Sequence, residues 1–154
     1  MSPITYIDYP FDKEQLLIEA QYAKAQAEPY GNDPRYPGQQ FNEWLISHYN
    51  SDYIKTILDD FEIEGKPRFY WLEPNVLLPE HVDHNTECAL NFVLSDNPAP
   101  VTFNGKEYLY KSALLNTQEP HSVQNGNYER ILFKISIFNE SYESLAKRIK
   151  YARR

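Results

Sequence analysis

The chain has 154 residues and a formal net charge of −7, with 42% hydrophobic and 24% charged residues, a composition that excludes a disordered or collagen-like protein. The acidic balance argues against general nucleic-acid binding, which needs a basic face to neutralise phosphates. A single cysteine, Cys88, excludes an internal disulfide, and no apolar run approaches the ~18 residues that span a bilayer.

At this length about 70% of the unfolded surface can be buried, so one domain with one sizeable core is expected. It divides into a helical N-terminal part (1–66), a β core (67–138) and a C-terminal helix (139–154). Met1 to Tyr6 carry no basic-then-apolar leader pattern, so a soluble, cytoplasmic protein is expected. The basic residues cluster at the C-terminal end (Lys147, Arg148, Lys150, Arg153, Arg154). They read as a solvated helix face near the negative end of the helix dipole, with a docking tail for an acidic partner as the alternative.

In chain order, Asp12 is a helix cap with Gln15 three residues on, the pattern of a capping box. Leu16, Ala20, Ala23 and Ala27 then share one face until Pro29. Breakers follow at Pro29, Gly31, Asn32, Pro34, Pro37 and Gly38, a loop carrying Tyr30 and Tyr36 that could line an entrance together with Trp44. Phe41, Trp44, Leu45 and His48 are spaced as one face of a short helix, with His48 a packed or half-exposed structural residue. Ser51 caps another, striped by Ile54, Ile57, Leu58 and Phe61.

After Pro67 the period changes to alternation. Short β-branched and aromatic runs bounded by turn residues predict strands over 68–73, 77–83, 87–94, 100–103, 106–110, 113–116, 121–124 and 128–138. Asn104-Gly105 accepts the positive φ angles of a type I′ hairpin turn. Eight strands without intervening helices predict two packed antiparallel sheets, a cupin-like jelly roll, with the N-terminal helices on one sheet. In the last strand Ile131, Phe133, Ile135 and Ile137 alternate with Arg130, Leu132, Lys134 and Ser136. The apolar face suits the helices, and the other carries Arg130 inward. Ser141, or Asn139, caps a closing helix.

The chemistry concentrates at two ends of one stretch. His81-x-Asp83 closes the second predicted strand, His121 follows 38 residues after Asp83, and Arg130 nine residues after that. Residues i and i+2 of a strand point the same way, so His81 and Asp83 are expected to project together. A jelly roll sets its second and seventh strands side by side, which brings His121 to the same place. Two imidazoles and one carboxylate on one side of an octahedron leave three positions open, which suits Fe(II) that must bind a cosubstrate and O₂ together. An inward guanidinium needs an anion, and a bound dicarboxylate would supply it. Lys134 faces the same way, as a second anion contact or a rim residue. Glu87 is an alternative carboxylate ligand, His84 a surface residue or one that supports a ligand from behind, and Cys88 a small core residue. With no paired cysteine, zinc fits less well.

This ordered set, His81-x-Asp83, His121 and Arg130 on eight strands behind N-terminal helices, resembles the Fe(II)/2-oxoglutarate-dependent dioxygenases over about residues 67–138. The resemblance implies a double-stranded β-helix in which His81, Asp83 and His121 hold iron, 2-oxoglutarate chelates it, and Arg130 grips the distal carboxylate. The implied reaction is hydroxylation of a small molecule or a protein side chain. Leu132 stands where some members have a serine for the cosubstrate; Tyr70 or Asn91 is expected to replace that contact. Asp83 argues against the branch that lacks a carboxylate ligand. The other readings are a cupin-type metal enzyme that does not use 2-oxoglutarate and a metal-free jelly-roll binding or structural protein.

Overall fold

The computed structural model describes residues 1–29, 44–83, 85–96 and 99–154. In chain order the elements are β1 (Ile4–Tyr6), α1 (Lys13–Lys24), β2 (Glu28–Pro29), β3 (Trp44–His48), α2 (Asp52–Phe61), β4 (Lys66–Leu72), β5 (Leu77–His81), β6 (Cys88–Val93), β7 (Val101–Phe103), β8 (Lys106–Tyr108), β9 (Ser112–Leu115), β10 (His121–Gln124), β11 (Arg130–Ile137) and α3 (Tyr142–Arg148). Among the described residues no helix is long and apolar enough to cross a membrane.

The strands form two antiparallel sheets, ordered β1-β9-β6-β11-β4-β3-β2 and β5-β10-β7-β8. This is a double-stranded β-helix, with all eight expected strands present in it. Asn104 and Gly105 take φ of 50° and 76° in succession, so the turn joining β7 and β8 has the handedness that strand twist prefers.

Alternation along β4, β6 and β11 separates two cores. Phe69, Trp71, Leu90, Phe92, Phe133 and Ile135 face outward and pack on Leu16 and Ala20 of α1, Ile54, Ile57 and Phe61 of α2, and Leu145 of α3. Tyr70, Leu72, Val93 and Leu132 face inward against Val101, Phe103 and Val123 of the smaller sheet. The helices therefore stiffen the back of the large sheet, and its inner face is left for a site.

The caps follow the sequence with one difference. Asp12 Oδ1 accepts from the Gln15 N–H at 3.0 Å and Ser51 Oγ from the Ile54 N–H at 3.1 Å. The Gln15 side chain, however, turns to Glu19 instead of reaching back, and the Asp12 N–H donates to the Tyr53 hydroxyl, so the capping box is only half formed. Trp44–His48 is a strand, not the expected helix. Its Trp44 and Ile46 pack inward and Leu45 outward, a period of two that pairing with β4 enforces; His48 is exposed. Phe41 lies outside the described residues, as do Tyr30, Tyr36 and His84.

The C-terminal cations are spent within the fold. Lys147 pairs with Glu143, Arg153 with Asp8, and Arg154 donates to carbonyls at the end of α3. Arg148 joins Glu140 to the Glu62 carbonyl and so ties α3 to the end of α2.

Two outcomes are expected. A Cβ on Gly65 would lie 2.6 Å from Ile135 Cγ2 and 2.8 Å from the Ser136 carbonyl oxygen. Gly65→Ala should cost about 1–3 kcal/mol by denaturant titration; an unchanged midpoint would contradict this packing. The hydrogen bond from Arg148 holds the Glu140 carboxyl below the usual glutamate range, against a smaller opposing effect of burial. A depressed value stabilises above the ordinary pKa of about 4.3 and loses that contribution as pH falls through the folded value. Glu140→Gln should therefore destabilise by up to about 1 kcal/mol near neutral pH and by less in acid, read from melting curves at several pH values.

Candidate active site

Strands β5 and β10 are neighbours, with His81 directly opposite His121 and their ring centroids 4.4 Å apart. Each Nδ1 sits 2.7 Å from the carbonyl oxygen two residues earlier, Pro79 for His81 and Glu119 for His121. A carbonyl only accepts, so each Nδ1 carries a proton, which turns each Nε2 toward the cluster. Both Nε2 atoms face Asp83 Oδ1, at 3.3 and 3.4 Å.

Asp83 is not on the strand as expected. β5 ends at His81, and the Asp83 N–H donates to the Thr117 carbonyl at 2.9 Å, a contact from the turn before β10. The chain thus leaves its ladder and still returns the carboxylate to the two imidazoles. The ligand atoms of the three residues all lie within 4.8 Å of one another. Three lone-pair donors repel one another unless a proton or a cation lies between them. Two nitrogens and one carboxylate oxygen, with both imidazoles locked from behind, could hold a divalent first-row metal.

Lys134 of β11 completes the cluster. Its Nζ is 2.6 Å from Asp83 Oδ2, and the two side chains are only 14% and 13% exposed. Burial pushes the Asp83 carboxyl up, but the Lys134 charge, followed by hydrogen bonds to His121 and His81, holds it well below the usual carboxylate range. Burial likewise lowers Lys134, but the charge of Asp83, Tyr70 and the hydrogen bond to Asp83 together outweigh it, so the ammonium form is kept. The same Nζ lies 5.5 Å from the Tyr70 ring centroid.

His81, His121, Arg130 and Lys134 line one cavity with about 550 Å³ of empty space, including its open mouth. Arg130 is 6% exposed. Its Nη2 donates to the Tyr110 hydroxyl at 3.2 Å, and Asn91 Nδ2 donates to the same oxygen at 3.0 Å. With both lone pairs occupied, the Tyr110 O–H is left to donate elsewhere. Arg130 Nε is buried with no partner, and among the described residues no acid pairs with this guanidinium. A buried, permanently charged fork beside a free phenol O–H fits a carboxylate.

Of the residues weighed from the sequence, Tyr70 and Asn91 both line this cavity, as does Leu132. Asn91 joins the Arg130–Tyr110 network, whereas the Tyr70 hydroxyl meets Arg68 Nη1 at 3.4 Å and its ring stacks on Trp44 at 5.5 Å. Tyr110 was not singled out by the sequence: it lies two residues past the end of β8, where alternation stops. Glu87 is turned away, bonded to Gln118 on the surface, and supplies no ligand to this cluster. Cys88 is buried in the core behind the sheet, its thiol pushed up to about 12 by burial.

The chain has a double-stranded β-helix fold like that of solved Fe(II)/2-oxoglutarate oxygenases, with a His-Asp-His cluster that could hold a metal. No protein-family model matches the sequence, and no curated protein matches it. Among solved structures it is similar to a *Trichoplax adhaerens* prolyl hydroxylase in complex with a hypoxia inducible factor oxygen degradation domain peptide fragment (13% identity, TM-score 0.64, covering 94% of this chain and 87% of that one). The viral collagen prolyl hydroxylase of Paramecium Bursaria Chlorella virus-1, solved as a 2OG complex, matches at 10% identity and TM-score 0.60 over 88% and 96% of the two chains. The DMSP lyase DddQ of Ruegeria pomeroyi matches at 10% and 0.59 over 86% and 67%. At such identities the likeness is one of fold, so function turns on the site.

Alanine at His81, Asp83 or His121 is expected to abolish binding of Co(II) followed by calorimetry, with the circular dichroism of the folded protein kept. Undiminished binding in any of the three would remove that residue from the site.

Proposed function

We propose that this protein is a 2-oxoglutarate- and O₂-dependent Fe(II) oxygenase that hydroxylates a small molecule or a protein side chain. The observation that carries this reading is the buried Arg130, its Nε unpartnered, in the same cavity as His81 and His121 of the cluster. A metal cluster alone would serve many enzymes. A buried cation with no acid beside it asks for an anionic partner that spans the cavity, and a dicarboxylate does this.

In this reading His81, Asp83 and His121 hold the iron, and the iron when bound couples decarboxylation of 2-oxoglutarate and reduction of O₂ to hydroxylation, giving succinate, CO₂ and the alcohol. The chain supplies the rest. Arg130 binds the distal carboxylate, and the Tyr110 O–H donates to it while Asn91 holds the phenol in place. Leu132, where a serine would offer a further hydrogen bond, leaves that task to Tyr110. Leu72, Val123 and Leu132 keep the cosubstrate's methylene chain dry. The carbonyls of Pro79 and Glu119 fix both imidazoles with Nε2 turned inward before any ligand arrives, which lowers the ordering cost of binding. The prolyl hydroxylases among the similar structures support an oxidation at an unactivated C–H bond.

Adding Fe(II) and then 2-oxoglutarate without oxygen should produce the visible charge-transfer absorption of the chelate. Arg130→Ala should weaken 2-oxoglutarate roughly ten- to hundredfold, the size of a lost charge-assisted pair, while Glu87→Ala leaves it unchanged. A wild-type protein that gives no band would refute the assignment.

A further inference from the structure

Resting on that reading, we propose that Lys134 is a positioning residue that fixes which oxygen of Asp83 is offered to the metal. The two oxygens of this carboxylate already face different partners: Oδ1 lies 3.3 and 3.4 Å from the imidazole Nε2 atoms, and Oδ2 lies 2.6 Å from Lys134 Nζ. Nothing else among the described contacts restrains Oδ2. Asp83 lies beyond the end of β5, so the strand ladder does not set its side-chain torsion; its backbone N–H is anchored at Thr117.

Lys134 is well placed to impose the restraint. It stands in the middle of β11, paired with Asn91 of β6 on one side and Arg68 of β4 on the other, and it is half-buried. Its ammonium has the Tyr70 ring on one side and Asp83 on the other. Its backbone stands four strand residues, about 13 Å, from that of Arg130, and its Nζ is already paired with Asp83.

The consequence concerns open positions. A carboxylate free to turn can bind a metal through both oxygens and so occupy one of the positions that a chelating cosubstrate and O₂ require. With Oδ2 held by Lys134, one oxygen is offered and three positions stay open. The cation also carries a cost, since it repels a divalent ion nearby. The two effects give the proposal a sign: removing the charge should not weaken metal binding, yet should weaken the cosubstrate.

The test uses Co(II) as the metal probe and 2-oxoglutarate as the ligand, followed by calorimetry and by the Co(II) absorption spectrum, without turnover. Lys134→Met should bind Co(II) at least as tightly as the wild type and show an altered spectrum. Its Co(II)-loaded form should bind 2-oxoglutarate at least tenfold more weakly. Lys134→Gln, which keeps a donor to Oδ2 without the charge, should recover most of the 2-oxoglutarate affinity. Equal 2-oxoglutarate affinity in wild type and Lys134→Met would overturn the role, as would loss of Co(II) binding in Lys134→Met and Lys134→Gln alike. If Lys134→Met does not fold, the infrared carboxylate bands of the Zn(II)-loaded wild type decide: the signature of two-oxygen coordination would overturn the proposal, and that of one-oxygen coordination would support it. A wild type that binds Co(II) but never 2-oxoglutarate would overturn the oxygenase reading itself, and this inference with it.

Discussion

Two cations stand on the inner face of the longest strand, between sheets whose packing is otherwise largely apolar. Arg130 and Lys134 cannot be there as charges without acceptors, because an unpaired buried charge costs several kcal/mol. Lys134 finds its acceptor in Asp83. Among the described residues Arg130 meets a phenol oxygen and no acid, and its Nε has no partner. The difference between the two is informative: one charge meets a carboxylate of the protein, and among the described residues the other does not.

The architecture serves this difference. Three helices cover the outer face of the large sheet with Phe, Leu and Ile, so β11 is held rigidly from behind and can present charge in front. The smaller sheet brings His81 and His121 face to face through strand pairing, with each ring locked by a carbonyl of its own chain. The positions of the imidazoles therefore rest on backbone geometry. Asp83 is the exception: its carboxylate is placed by a side chain from the opposite sheet, which couples the two sheets at the site.

Much of the fold was legible because the residues obey a period. β11 is the clearest case, since its outward Ile131, Phe133, Ile135 and inward Arg130, Leu132, Lys134 fall on the faces that alternation assigns. The ordering of His81, Asp83, His121 and Arg130 was legible for the same reason: strands pair, and paired strands align their ends. Trp44–His48 failed because Trp44, Leu45 and His48 fit one helix face, and pairing with β4 instead extends the segment and sends Trp44 and Ile46 to one side and Leu45 to the other. Asp83 failed in detail because no local signal marks where a ladder stops. The partner of Lys134 and the part played by Tyr110 depend on distances across sheets, which no spacing within a single segment encodes.

The central claim is that this site consumes 2-oxoglutarate by means of iron. The most direct measurement is succinate formed from 2-oxoglutarate in air by the purified protein with Fe(II), followed by mass spectrometry without any added substrate. The account predicts slow succinate release that requires Fe(II) and disappears in His121→Ala. No succinate from the wild type, or as much from His121→Ala as from the wild type, would contradict it.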